Sequence, residues 1–116
     1  MLDVWTYRQT VAKAPTLDLG GFKVEATDGE IGKVDLSTNE AAQSWIVVDT
    51  GPWILGKKVV LPASTVERVE MNRRIVFIDR TKDEIKNAPE FDPARGVDRS
   101  YRDELAAYYG RTRVRS

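Results

Sequence analysis

The sequence contains no cysteine and no histidine among its 116 residues. Without cysteine there is no disulfide, no thiolate nucleophile and no cysteine-ligated metal site. Without histidine the chain lacks the side chain most often used as a general base near neutral pH. An enzyme would have to work with carboxylates, lysine, serine, threonine or tyrosine. We therefore predict a protein that is not an enzyme, with no catalytic residues, no cofactor and no metal site.

Net charge and long apolar stretches are missing as well. Eighteen basic side chains balance eighteen acidic ones, whereas nucleic-acid binders normally carry a net basic surface. Apolar runs such as Trp45–Val48 and Val59–Leu61 are too short to cross a bilayer, and we do not expect the first residues to form a signal peptide. We expect a soluble, cytoplasmic protein without a membrane span.

The stretch from Phe22 to Val34 predicts a β-hairpin around which the other strands are arranged. Apolar and polar residues alternate from Phe22 to Ala26, which is the period of a half-buried strand. Asp28-Gly29 follows, and both residues tolerate the positive φ of a tight hairpin turn. The chain then returns as a second strand through Ile31 to Val34 and on to residue 38.

Four further strands are predicted at residues 43–49, 57–61, 65–70 and 73–79. The first and last of these are apolar on both faces, so each needs cover from the barrel interior and from a helix or partner. In the strand at 65–70, the three-residue spacing of Val66 and Val69 indicates a bend or bulge. Short links between the strands predict a closed, six-stranded antiparallel barrel.

Two helices are predicted after the strands. Thr81-Lys82-Asp83-Glu84 has the capping-box pattern that begins a helix, and Pro89 stops this helix early. A longer helix runs from residue 98 or 100 to residue 109, where Gly110 is placed to end it. Its apolar stripe, which indicates packing more than recognition, consists of Tyr101, Leu105, Tyr108 and Tyr109.

Several apolar groups are candidates for contact with a partner. The loop between the third and fourth strands has Trp53-Ile54-Leu55 at its tip, and such a tip either folds back over the core or meets another molecule. Residues 1–17 form an N-terminal arm that packs on the barrel or reaches a second subunit. The candidate partner or dimer contacts are Trp45, Trp53, Ile54, Leu55, Phe77, Tyr101 and Tyr108.

Two motifs give the chain a resemblance to a known family. Asp28-Gly29-Glu30-Ile31-Gly32-Lys33-Val34, taken together with Val47-Val48-Asp49-Thr50-Gly51, resembles the PRC-barrel domains. These are small β-barrels recognised in the photosynthetic reaction centre H subunit and in a ribosome maturation factor. The likeness covers about residues 18–93 and continues through Ile85 to Asp92, which is similar to the family's exit from the barrel. Residues 94–116, a helix with a basic tail, are similar to the tail of stand-alone bacterial members.

The resemblance implies an interaction domain. The barrel of the reaction centre subunit packs against membrane-protein partners, and that of the maturation factor docks on a ribosomal protein. Neither of these two barrels implies catalytic residues in this chain. The resemblance thus divides this chain into an arm at 1–17, a barrel at 18–93 and a helical tail at 94–116.

The main hypothesis is a non-catalytic adaptor or regulatory module that self-associates as a homodimer through apolar barrel surface and the Trp53 loop. The alternative is an RNA- or ribosome-associated factor, with Lys57, Lys58, Arg73, Arg74 and the arginine tail as nucleic-acid contacts. An accessory protein of an electron-transfer complex and a small-ligand carrier are weaker hypotheses. A carrier needs an open lumen, whereas six short strands fill a barrel with their own side chains.

Overall fold

The computed structural model describes Trp5 and residues 19–37, 44–51 and 57–111. The chain is mainly β, with six strands, one short helix and one longer C-terminal helix, as the sequence predicts. A 3-10 turn, Ala63–Thr65, separates β4 from β5. The strands are β1 Lys23–Ala26, β2 Gly29–Ser37, β3 Trp45–Asp49, β4 Lys58–Pro62, β5 Val66–Glu70 and β6 Ile75–Ile78. The helices are α1 Lys82–Lys86 and α2 Arg99–Arg111.

The strands form one mixed sheet in the order β4-β3-β2-β1-β6-β5. The prediction of a purely antiparallel barrel is wrong in one pair, because β1 and β6 run parallel. The chain leaves β4 through the 3-10 turn and re-enters at the opposite end of the strand order, so β6 meets β1 in the same direction. No ladder joins β4 to β5 within the described residues, so hydrogen bonds do not close the sheet there.

Local signals in the sequence are confirmed. The first hairpin is present, but its turn residues are Thr27 and Asp28 rather than Asp28 and Gly29, because Ala26 pairs with Gly29, the first residue of β2. The bend expected near Val66 is a register shift between Val66 and Arg68. At the start of α1, Glu84 N–H donates to the Thr81 hydroxyl at 3.1 Å, and Thr81 N–H donates to the Glu84 carboxylate at 2.9 Å. These reciprocal bonds are the predicted capping box.

Two expectations about element ends are corrected. Thr65 belongs to the 3-10 turn rather than to a strand, and its hydroxyl donates to the carbonyl of Pro62 at 2.7 Å. Gly110 does not end α2, which continues to Arg111. Gly110 is not among the glycines with positive φ, so it lacks the left-handed conformation with which glycine terminates helices.

The core lies between the curved sheet and α2. Ile46, Val47 and Val48 of β3 are all buried, which confirms that this strand is covered on both faces. Tyr101, Leu105 and Tyr109 of α2 are buried in the same cluster, so most of the predicted apolar stripe serves packing.

The N-terminal arm is described only at Trp5. Its carbonyl accepts a hydrogen bond from Ser44 N–H at 2.8 Å, and its ring meets Trp45 edge to face at 6.0 Å between centroids. This contact attaches one point of the arm to the start of β3. The division into arm, barrel and tail stays a prediction.

Gly32 sets the distance between β2 and the end of β3. Its φ is +148°, and a Cβ at this position would lie 2.0 Å from the backbone oxygen of Asp49. A backbone atom cannot rotate away as a side chain can, so only glycine fits without moving one of the two strands.

We expect Gly32→Ala to lower the free energy of unfolding by more than about 2 kcal/mol, because it combines this clash with an unfavourable φ. Gly110→Ala is the matched control, since a Cβ there meets nothing within 4 Å. In a helix that change is expected to be neutral or to stabilise by up to about 1 kcal/mol. Urea unfolding measures both, and equal effects of the two substitutions would contradict the close approach at Gly32.

Candidate functional site

A cleft lies between β4 and the segment that follows α1. Residues 57–60 form one side and residues 85–91 form the other. The cavity has a volume of about 220 Å³. We refer to it as the β4 cleft.

The interior of the β4 cleft is apolar. Its floor consists of the buried residues Val60, Ile85 and Tyr109. Its walls are formed by half-buried residues from both sides, namely Val59, Ala88, Pro89 and Phe91. The cleft therefore offers a surface on which an apolar side chain loses contact with water.

Charged side chains form the rim. Lys57, Lys58 and Lys86 stand against Glu90, and all four are exposed. Lys57 forms an ion pair with Glu90 across the mouth. The ammonium of Lys58 lies 2.8 Å from the carboxylate of Asp35 on β2, and this hydrogen bond, together with the charge of Asp35, raises the pKa of Lys58. With Asp35 counted, three cations face two anions, which leaves the rim with an excess of one positive charge.

A buried arginine, Arg80, holds Tyr109, which forms part of the floor of the β4 cleft. The Arg80 side chain is 2% exposed and forms an ion pair with Asp79. Its guanidinium donates to the backbone carbonyl of Tyr109 at 2.7 Å. A cation is favourable at this end of α2, where carbonyl groups lack intrahelical partners. This contact joins the end of β6 to the last turn of α2.

Tyrosines of α2 hold the far wall. Tyr101 donates its hydroxyl to the carbonyl of Pro89 at 3.1 Å, and Tyr108 donates to the carbonyl of Glu84 at 2.6 Å. The Phe91 ring packs against Tyr101 at 5.8 Å between centroids. Burial raises the pKa of Tyr101, so this hydroxyl remains a neutral donor at physiological pH.

A second hollow of about 320 Å³ lies beside the close approach at Gly32. It is lined by residues 30–33 of β2 and by Asp49, Thr50 and Gly51. Apart from Ile31, its lining consists of polar residues and glycines.

The described contact candidates are engaged within the chain. Trp45 packs on Trp5, and the Arg68 guanidinium lies 3.8 Å from the centre of the Phe77 ring. Tyr101 is 3% exposed and does not offer its surface to a partner in this structure. Tyr108 is half-buried. Trp53, Ile54 and Leu55 lie outside the described residues, and a partner role for these candidates stays a prediction.

The basic candidates do not form one surface. Lys57 and Lys58 stand at the β4 cleft, whereas Arg73 and Arg74 lie in the turn between β5 and β6. The Arg73 guanidinium donates twice to the Glu70 carboxylate, at 2.5 and 2.8 Å. Arg74 has a φ of +57°, and its carbonyl accepts from Lys23 N–H at 2.9 Å. The arginine tail beyond residue 111 lies outside the described residues.

Sequence reasoning missed most of the cleft. The sequence predicts that Pro89 stops a short helix and, by resemblance, that Ile85 to Asp92 form the exit from the barrel, but it does not predict that these residues line a cleft. Phe91 was the available signal, because a large aromatic residue in a proline-containing connector needs something to pack against.

The described residues contain no group of three acidic, histidine or cysteine side chains placed to share a metal ion. None of the described helices has the length and apolar content needed to span a membrane.

Comparison with known proteins shows a likeness among solved structures. No family model matches the chain, and no curated protein matches it. Among solved structures, it is similar to RimM from Pseudomonas aeruginosa, provisionally named a 16S ribosomal RNA processing protein, with 22% identity and a TM-score of 0.47. The match covers 56% of this chain and 42% of RimM, so this chain corresponds to less than half of that protein. A likeness of this extent does not establish a function.

The carboxyl of Glu70 provides a test of the arginine contacts. Hydrogen bonding and charge from Arg73, with a smaller contribution from Arg68, lower the pKa of Glu70 from 4.5 to about 2. Because the folded pKa lies below the unfolded one, this pairing stabilises the fold above about pH 4.5. The contribution is lost as the pH falls through about 2. We expect carboxyl NMR to show Glu70 titrating near pH 2, and Arg73→Gln to raise its pKa. An unchanged pKa in that variant would contradict the pairing.

Proposed function

We propose that the chain is a non-catalytic protein-interaction module, of adaptor or regulatory type, that docks partners in the β4 cleft. The observation that supports this proposal is an apolar interior surrounded by a positively balanced rim. Its volume of about 220 Å³ is below the roughly 300–1,000 Å³ typical of small-molecule sites. A cleft of this size suits one or two side chains of a protein partner.

A second copy of the chain is the partner that the sequence favours. The proposed homodimer would use apolar barrel surface together with the Trp53 loop. The described residues include two exposed large apolar side chains, Leu36 at 55% and Met71 at 47% exposure. Neither lines the β4 cleft, so substitutions at these two residues and substitutions within the cleft test different surfaces.

We expect Val59→Asp to weaken partner capture at least tenfold, because it places a carboxylate in an apolar wall and loses more than about 1.4 kcal/mol of binding free energy. Met71→Asp is the control, since it changes an exposed apolar residue outside the cleft. Immobilised wild-type protein and both variants are incubated with extract of the source cells, and captured proteins are quantified by mass spectrometry.

Circular dichroism checks that both variants fold, and light scattering reports whether the captured partner includes the protein itself. A partner retained by Met71→Asp and lost from Val59→Asp supports docking at the cleft. Equal capture by the two variants, or no capture by the wild-type protein, would overturn the proposal.

An RNA- or ribosome-associated factor is the second candidate. Of the functions considered, this is the one towards which the name of RimM points. The charges of this chain give it less support, because eighteen acidic side chains balance the eighteen basic ones. The basic candidates are also divided between the β4 cleft and the turn between β5 and β6, whereas nucleic-acid binders normally carry one continuous basic surface.

If the protein binds RNA, its affinity for a ribosomal RNA fragment must fall steeply as salt is raised, because phosphate contacts release counterions. We expect a fluorescence titration to show no salt-dependent RNA binding between about 50 and 200 mM salt. This is the range over which binding through phosphate contacts loses affinity steeply. Salt-dependent binding that Lys57→Ala and Arg73→Ala both weaken would favour this candidate over protein docking.

A further inference from the structure

Among the described residues, one side of the β4 backbone has no partner strand. β4 stands at the end of the strand order and pairs with β3. Thr50 N–H donates to the carbonyl of Lys57, and Ala63 N–H donates to the carbonyl of Ser44. Hydrogen-bonded pairs alternate along an antiparallel ladder, so Val59 and Leu61 also bond towards β3. The N–H and C=O groups of Lys58 and Val60 therefore point away from β3.

These outward groups face the β4 cleft. Lys58 and Val60 both line it, and Val60 is only 2% exposed. Within the described residues, no hydrogen bond is formed by the outward backbone groups of either residue. Backbone groups that are buried without partners cost free energy, and native proteins satisfy nearly all of them. A second chain lying along Lys58–Val60 would supply the missing partners.

The charged side chains at the rim indicate which kind of peptide would fit the cleft. Lys57, Lys58 and Lys86 outnumber Glu90 and Asp35 at the rim by one charge, while the walls between them are apolar. A strand presents alternate side chains to opposite sides. A peptide in which acidic and apolar residues alternate would direct carboxylates to the rim and apolar groups to the interior.

We infer that the β4 cleft binds an extended segment of a partner protein, with alternating acidic and apolar residues, as an added strand beside Lys58–Val60. Strand addition is a common mode of peptide recognition, in which the backbone supplies affinity and side-chain pockets supply specificity. This inference rests on the proposed function, since it names the mode of binding and the chemistry of the partner.

Glu90 occupies the position that a peptide carboxylate would take. It pairs with Lys57 across the mouth, and the side chains of Lys57 and Glu90 are 51% and 73% exposed. Exposed ion pairs contribute little to stability, so an incoming carboxylate can replace Glu90 at small cost. Removing the Glu90 charge frees Lys57 for the peptide.

The test uses an acetylated and amidated five-residue peptide of alternating glutamate and valine, titrated into 15N-labelled full-length protein. We expect the amide signals of Lys58 and Val60 to shift most within β4. A lysine–valine peptide controls for charge, and a glutamate–proline peptide controls for backbone donors. Both are expected to bind at least about tenfold more weakly. Equal affinity of either control peptide, or an absence of shifts at Lys58 and Val60, would overturn the inference.

Three variants separate the contribution of the rim charges from that of the backbone hydrogen bonds. Glu90→Gln is expected to tighten binding of the glutamate–valine peptide about two- to fivefold, because it removes the internal competitor. Lys58→Pro and Lys58→Ala both lose the ammonium, but only Lys58→Pro also loses the outward N–H. Proline is tolerated at the first residue of an edge strand. Lys58→Pro should therefore bind about three- to tenfold more weakly than Lys58→Ala. Equal affinities of these two variants would contradict strand addition.

The outcomes also separate this inference from the proposed function. If the peptide fails to bind while partner capture remains sensitive to Val59→Asp, the docking module stands and strand addition is wrong. If capture is insensitive as well, the proposed function fails too.

Discussion

The contact between Arg80 and the last turn of α2 is the interaction on which the rest of the arrangement depends. The buried guanidinium of Arg80 pairs with Asp79 and donates to the carbonyl of Tyr109. One cation therefore connects the end of β6 to the last turn of α2. Removing one partner of a buried ion pair costs about 3–5 kcal/mol, because the other charge is left unpaired. Tyr109 forms the floor of the β4 cleft, so this contact also places the surface that we assign to partner binding.

The combination of charges with apolar walls distinguishes the β4 cleft from other charged groups of the described surface. The turn between β5 and β6 places Glu70 between Arg68 and Arg73, and the segment before α2 pairs Arg95 with Asp98. At the cleft, three lysines face Glu90 and Asp35 around apolar walls. A protein segment with both apolar and acidic side chains matches this combination better than a polyphosphate chain does.

Much of the fold follows from local patterns in the sequence. Alternation predicts β1 and β2, and the spacing of Thr81 and Glu84 predicts the start of α1. The parallel pairing of β1 and β6 does not follow from such patterns, because it depends on where the chain re-enters the sheet after Thr65. The cleft was equally inaccessible, since Lys57 and Glu90 are 33 residues apart and meet only once α1 has packed beside β4. Short-range periodicity contains no information about contacts of that range.

The central claim is that β4 presents unpaired backbone groups to the cleft beside it, and amide hydrogen exchange measures this most directly. Within one strand, Val59 and Leu61 donate towards β3, while Lys58 and Val60 point away from it. We expect slow exchange at Val59 and Leu61 and fast exchange at Lys58 and Val60, because protection follows stable hydrogen bonding. Uniform slow exchange along 58–61 would show that another segment already occupies this edge, and would contradict the account.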